Sequence, residues 1–395
     1  MLIGLVGKPS SGKSTFFKAL TLADVEIANF PFTTIKPNRG IGFVSIDCID
    51  KEFGKQCIPR EGFCLNHKRF IPIEILDVAG LVPGAYEGKG KGNQFLDDLR
   101  QADAFIHIID VSGSTDENGN PITPLSHDPS KDIEFLDFEL DMWYYQILSK
   151  GWGKFSRQVH HENLNIKKAL AKQLSGLKVT EENVESSIKR LGLNHDPETW
   201  TEHNLKDLAR ELRKIKPMII AANKLDVEGS LFELDKIKKK FPEYIIIGCS
   251  AEIELALKEA AKNKIIEYIP GDSTFKIIGN MNEMQKKGMN FISEYLKRYK
   301  NTGVQGIINK IVFGMLNYIA VYPGGVNKLE DSEGRTLPDC FLMPENSTAL
   351  DFAYRLHSDF GDNFIKAIDV KNKRVVGRDY KLKHKDVIEI AYKKG

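Results

Sequence analysis

The stretch Gly7-Lys8-Pro9-Ser10-Ser11-Gly12-Lys13-Ser14 constrains this chain more than any other part of it. It satisfies G-x-x-x-x-G-K-[ST]. The apolar run Leu2–Val6 before it reads as a buried strand, and Thr15–Leu20 after it carries a helix period. Glycines let such a loop bend so that successive N–H groups surround a phosphate, with the positive end of the helix dipole added. Gly7, Lys8, Pro9, Ser10, Ser11, Gly12, Lys13, Ser14 and Thr15 are therefore candidate nucleotide-binding residues. Lys13 would bridge β- and γ-phosphates as a catalytic cation, and the Ser14 hydroxyl would ligate Mg²⁺. Such a match arises by chance in about 1% of chains of this length, so the strand–loop–helix context carries real weight.

Such a loop needs a mostly parallel sheet behind it, and the chain supplies one. Phe70–Leu76, Phe105–Ile109, Met218–Ala222 and Tyr244–Gly248 are further short strand candidates, with helical patterns between most of them. Gly113 to Lys131 reads as a loop or linker. Apolar residues at Ile133, Leu136, Leu140, Trp143, Ile147 and Leu148 then fall at helical steps, broken by Gly151 and Gly153. Helical patterns resume over 164–174, 184–191 and 205–215, and again over 284–299 and 304–318. From about Val321 short strands and turns dominate, with one helix near 348–357. The expected fold is α/β, a P-loop NTPase domain with a mostly parallel sheet. An inserted helical domain and a C-terminal α+β ubiquitin-like module complete it. The expected boundaries are 1–129 with 213–320 for the nucleotide domain, 130–212 for the insertion and 321–395 for the last module.

Length and charge agree with this. The 395 residues suffice for two or three cores. A formal charge of +2 argues against a chain that simply coats nucleic acid or membrane. Five cysteines at irregular spacing make no disulfide framework, and no stretch approaches eighteen apolar residues. A cytoplasmic protein without a membrane partner is expected.

Asp77-Val78-Ala79-Gly80 ends the strand Phe70–Leu76, at the carboxyl edge where open α/β sheets bind ligands. There Asp77 would hold Mg²⁺ and the Gly80 amide would meet the γ-phosphate. Asn223-Lys224-Leu225-Asp226 follows the strand Met218–Ala222. A carboxylate at Asp226 accepts from the N1–H and 2-amino group of guanine, a donor pair adenine lacks, while the Lys224 stem covers the base. Ser250-Ala251 offers a backbone N–H to guanine O6. Within the loop Asn29–Asn38, either Thr33 or Thr34 would close over the metal and γ-phosphate.

Taken together these segments resemble the Obg family of GTPases, and within it the YchF-like branch in its archaeal form. The resemblance rests on Asn29–Asn38, Asp77–Ala85, Gly88–Leu96 and Asn223–Asp226. The C-terminal pieces Leu337-Pro338-Asp339, Ser347-Thr348-Ala349, His357-Ser358-Asp359 and Asp386-Val387-Ile388 are similar to a TGS domain. It implies a GTP-binding and GTP-hydrolysing switch, with GTP and GDP as ligands and ribosome or RNA as partner through the TGS-like and helical parts. It makes Thr34 the switch threonine and a metal ligand beside Ser14 and Asp77, with Lys13, Thr34 and Gly80 as the catalytic set. Leu81 stands where Ras-like enzymes carry a water-orienting glutamine, which implies slow intrinsic turnover. Ser10 replaces an asparagine tied in relatives to potassium-assisted hydrolysis. Several relatives have lost N-K-x-D and prefer ATP, whereas Asn223, Lys224 and Asp226 here favour guanine. Two alternatives stay open: an adaptor for ribosome or RNA with structural nucleotide and negligible turnover, and an ATPase.

Other features carry less. Cys48, Cys57, Cys64 and His67 cluster within twenty residues, but without a C-x₂-C pair they read as structural cysteines. His107 reads as a satisfied core histidine, and His160-His161 has no partner motif. The eight Lys/Arg against two Asp in Lys366–Lys385 suit RNA phosphates or a solvated face alike.

Overall fold

The computed structural model describes residues 1–22, 38–78, 80, 84–87 and 100–393. The expected switch loop with Thr34, and Leu81 with the Gly-Lys run after it, lie outside the described residues. In chain order the first elements are β1 (Leu2–Val6), α1 (Lys13–Thr21), β2 (Arg39–Asp47), β3 (Phe63–Leu65), β4 (Lys68–Asp77) and β5 (Ala104–Asp110). Five helices follow: α2 (Ser130–Ser149), α3 (Trp152–His161), α4 (Ile166–Gln173), α5 (Glu181–Leu191) and α6 (Glu202–Arg213). Then come β6 (Met218–Asn223), α7 (Ser230–Lys240), β7 (Ile245–Gly248), α8 (Ala251–Lys262), β8 (Ile266–Glu267) and β9 (Lys276–Ile277). The chain goes on through α9 (Glu283–Tyr299), α10 (Val304–Asn309), β10 (Tyr318–Pro323), β11 (Phe341–Pro344), α11 (Ala349–Leu356) and α12 (Ser358–Asp362). It ends with β12 (Phe364–Asp369), β13 (Arg374–Val376) and β14 (Asp386–Tyr392). Among the described residues no helix is long and apolar enough to cross a membrane.

Two compact units emerge, Met1–Lys18 with Ile75–Ile253, and Ala19–Glu74 with Glu254–Gly395. These divisions fall inside α1, β4 and α8, not at the boundaries expected from composition. In the first unit β1, β5, β6 and β7 run parallel, with Leu5 beside Ile106, Ile106 beside Ile219 and Ile219 beside Ile245. The side chains of β1, β5 and β6 are buried throughout, which is why those strands read as continuous apolar runs. Helices α2–α6 do not keep a core of their own. Leu136, Leu140, Trp143, Leu170 and Leu208 share one apolar cluster with Leu2, Val6, Phe105 and Met218.

Three sequence expectations change here. Gly153 does not break the helical region but lies inside α3, where Trp152 stacks on Trp200. Gly113 to Lys131 is no mere linker, because the Ser114 and Thr115 hydroxyls donate to Asp110 and the Thr115 carbonyl accepts from Lys8. The pattern 304–318 is not one helix. After α10 the turns widen over Lys310–Met315, and Asn317, in a left-handed conformation, leads into β10.

In the second unit β11-β10-β14-β12-β13 form a mixed sheet in which only the β10–β14 pair is parallel. Phe352 and Ala349 of α11 pack on Val321, Ala367 and Ile388 beneath it. Thr348 caps α11 with a reciprocal bond to Asp351, which explains where that helix begins. The β2–β3–β4 segment, which sequence patterning showed only from Phe70 onward, contributes Ile41, Phe43 and Phe70 to a separate small cluster.

Candidate functional site

The phosphate loop turns from β1 into α1, and its geometry admits only glycine at two places. A Cβ on Gly7 (φ +148°) would lie 2.3 Å from Ile108 O, and one on Gly12 (φ +95°) 2.2 Å from Asn223 Nδ2. Ser10 is also left-handed at φ 59°, so the loop folds back on itself as anion-binding loops do. Ser14 is exposed at the helix start, while Lys13 is buried and donates from Nζ to Lys8 O at 2.7 Å. Burial pushes the Lys13 ammonium down to about 8, with Asp77 pulling the other way.

Asp77 sits half-buried at the end of β4, and Val78 N donates to Leu5 O at 3.2 Å, which holds that end against β1. Burial raises the Asp77 carboxyl above its usual range, and Lys13 opposes this. Desolvation thus dominates on both groups. Gly80 reaches the same place: a Cβ there would lie 3.2 Å from Lys13 Nζ and 3.3 Å from Pro9. An exposed hydroxyl and a desolvated carboxylate make a hard oxygen donor set, so Ser14 and Asp77 fit Mg²⁺.

The third motif closes the site. Asn223, at the end of β6, donates from Nδ2 to Ser11 O at 3.0 Å and accepts at Oδ1 from Ala251 N at 3.0 Å. One amide therefore ties the phosphate loop to the turn after β7. The Ala251 N–H, which the sequence offered to guanine O6, is engaged by Asn223, and Ser250 Oγ accepts from Ile253 N at 3.2 Å. Lys224, left-handed at φ 65°, anchors its Nζ on Asp110 Oδ2 at 2.9 Å and Ser114 Oγ at 3.2 Å. Asp226 is half-buried, and no described residue donates a hydrogen bond to its carboxylate. It is the open acceptor of the motif.

Sequence patterning missed two supports. Asp110, fully buried at the end of β5, collects Ser112, Ser114, Thr115 and Lys224. Burial would raise this carboxyl, but hydrogen bonds from Ser112, Lys224 and Thr115 outweigh it and hold it below the usual range. Lys8, buried within the loop, pairs with Asp132 Oδ2 at 3.0 Å and donates to Thr115 O at 2.9 Å, while His127 Nε2 meets Asp132 Oδ1 at 2.8 Å. Only the serine–threonine richness around Asp110 hinted at the first. Nothing local signals the second. His107 is buried as expected but not satisfied: its Nδ1 has no partner among the described residues, and burial depresses the ring to about 3.

A phosphate loop joined through one asparagine to an N-K-x-D motif on a parallel sheet defines a P-loop nucleotide-binding protein. Known proteins sharpen this. The pattern of the 50S ribosome-binding GTPase family matches residues 2–136, that of the Obg-like YGR210-like G4 motif-containing domain 221–325, and that of the TGS domain 333–391. An uncharacterized GTP-binding protein of Methanocaldococcus jannaschii is 51% identical, covering 99% of this chain and 98% of its own. The crystal structure of a GTP binding protein from Pyrococcus horikoshii OT3 has a TM-score of 0.77 at 38% identity, over 99% of this chain and 100% of that one. A ribosome-binding ATPase of Buchnera aphidicola, a YchF protein, is 29% identical over 93% of this chain and 88% of its own. The chain belongs to the YchF branch of the Obg-like GTPases, with a C-terminal TGS domain.

Proposed function

We propose that the chain is a GTP-hydrolysing switch with slow intrinsic turnover, acting with the ribosome or its RNA. The observation that carries the guanine preference is the division of labour in the N-K-x-D motif. Asn223 and Lys224 are held by Ser11, Ala251, Asp110 and Ser114, while the Asp226 carboxylate accepts no hydrogen bond from any described residue. A guanine edge satisfies it with two donors, whereas adenine would leave it desolvated and unpaired.

Lys13 neutralises charge on the β- and γ-phosphates, and the loop amides and the Gly80 amide orient the γ-phosphoryl group. Ser14, Asp77 and Thr34 would hold Mg²⁺, which when bound screens the phosphate charge. With Leu81 in place of a water-orienting side chain, positioning and charge supply most of the rate. In this reading Thr34 and Gly80 release the γ-phosphate side after hydrolysis. The TGS domain, whose basic stretch Lys366–Lys385 suits phosphates, presents the partner surface. The name of the Buchnera relative supports the ribosome as that partner.

Asp226→Asn tests the base-reading role. GTP and GDP affinity should fall about tenfold or more while ATP affinity is unmoved, because only the guanine donors lose their acceptor. Equal affinity for GTP in the variant and the parent would remove Asp226 from that role. Turnover measured with and without ribosomes tests the partner, and stimulation is the expected outcome.

A further inference from the structure

Thiols gather in the second unit. Cys48 follows β2, Asp50 lies in the short helical turn Ile49–Phe53, Cys57 in the loop after it and Cys64 on β3. One donor atom from each, three sulfurs and a carboxylate oxygen, lie within 4.8 Å of one another. Cys48 Sγ is 3.5 Å from Cys57 Sγ, and Cys64 Sγ is 3.8 Å from Asp50 Oδ2. A tetrahedral zinc ion with Zn–S near 2.3 Å sets its sulfurs about 3.8 Å apart. The observed gaps are close to the edges of that tetrahedron, and all five cysteines are free thiols.

Charge gives an independent reason. Arg69 is 1% exposed and lies on β4 beside the cluster. Its Nη1 donates to Cys57 Sγ at 3.6 Å and Leu337 O at 3.0 Å, and its Nη2 to Pro338 O at 2.9 Å. No carboxylate of a described residue lies within ion-pair distance of it. A guanidinium does not deprotonate, so burying one calls for an anion nearby. Thiolates supply that anion, but several thiolates beside a buried Asp50 repel each other unless a cation stands among them. A divalent, thiophilic ion resolves both demands. With three thiolates and one carboxylate it carries a net charge of −2, which Arg69 then reduces.

The surroundings also orient each ligand. Cys57 N donates to Asp50 Oδ2 at 2.8 Å, and His67 Nδ1 meets Asp50 Oδ1 at 2.9 Å. Cys48 N donates to His67 O at 2.6 Å, and the Tyr322 hydroxyl to Cys48 Sγ at 3.8 Å. Metal ligands are commonly held by such outer partners. The sequence showed the three cysteines but not Asp50, because the cysteines are nine and seven positions apart instead of in a C-x₂-C knuckle.

We propose that Cys48, Cys57, Cys64 and Asp50 form a structural zinc site. Four protein ligands close the coordination sphere, so the ion pins the β2–β3 connection and offers no open position to a substrate.

Metal analysis of the full chain, purified under reducing conditions, tests this directly. About one zinc per chain is expected. After zinc is removed by a chelator, cobalt bound in its place should give a visible spectrum of tetrahedral form with thiolate-to-metal charge-transfer bands, where the d¹⁰ zinc gave none. Cys64→Ser, at the half-exposed edge of the cluster, should reduce bound zinc to a small fraction. Should that variant fail to fold, the parent still decides the matter: a mercurial reagent titrating its thiols should release the zinc as they react. Absence of zinc after growth and reconstitution with it, or a Cys48–Cys57 disulfide in the mass spectrum of alkylated protein, would overturn the proposal.

Discussion

Gly12 shows how little freedom the phosphate loop has at the level of single residues. With φ at +95° and Asn223 Nδ2 2.2 Å from where a Cβ would stand, alanine there both strains the backbone and pushes Asn223 off Ser11 O. Gly12→Ala should cost about 1–3 kcal/mol of stability from the backbone alone. It should also abolish measurable nucleotide binding, and thermal melting with and without GTP would show both effects. Lys13 sets a pH signature. Its ammonium sits near 8 in the free protein because it is buried. Phosphates stabilise the charged form and raise that value. Above pH 8, binding must therefore take up a proton, and affinity for triphosphate should fall as pH rises to 9. Calorimetry in buffers of different ionisation enthalpy reads the uptake; affinity independent of pH between 7 and 9 would contradict it. These residues were legible because each motif is contiguous. Ala251 was only half legible, since its N–H partner Asn223 lies 28 residues away.

At the scale of elements, the start of α2 is fastened to the phosphate loop by a buried pair. Lys8 and Asp132 are 2% and 4% exposed at their side chains and 3.0 Å apart, so neither charge has water to fall back on. Lys8→Met would leave the buried carboxylate without its cation, with His127 alone of the described residues beside it, and should destabilise the protein by about 3–5 kcal/mol, whereas Lys8→Met with Asp132→Leu should recover much of the loss. Chemical denaturation of the three proteins checks the ordering; equal stability of the single and double variants would remove the pair from the loop's support. This fastening was invisible in the sequence because lysine at an unspecified loop position finds its partner 124 residues away. Helix α2 itself was legible from its apolar steps. Helix α3 was not, because Gly153 reads as a breaker, yet Trp152 packs on Phe155 and stacks on Trp200. The β10 strand was hidden behind an unbroken apolar pattern from Val304, which backbone widening at Lys310–Met315 and the left-handed Asn317 interrupt.

For the whole molecule, the order of motifs was enough to read the nucleotide fold and the TGS module, because each motif belongs to a fixed place on its sheet. The extents of the compact units were not. Composition shifts follow the chain, whereas contacts join Ala19–Glu74 to residues at least 180 positions later, from Glu254 onward. The same long-range packing brings Arg69 to the carbonyls of Leu337 and Pro338. The second unit therefore contains both the basic C-terminal stretch, which the sequence placed in the TGS-like module, and the thiol cluster, which it left without a setting. In the first unit, the phosphate loop and the Asp226 carboxylate make a guanine nucleotide the expected ligand. Competition of unlabelled GTP, GDP and ATP against a fluorescent guanine nucleotide on the intact chain with Mg²⁺ tests this most directly. GTP and GDP should displace the probe at concentrations at least tenfold lower than ATP does. Displacement by ATP at equal or lower concentration would contradict it.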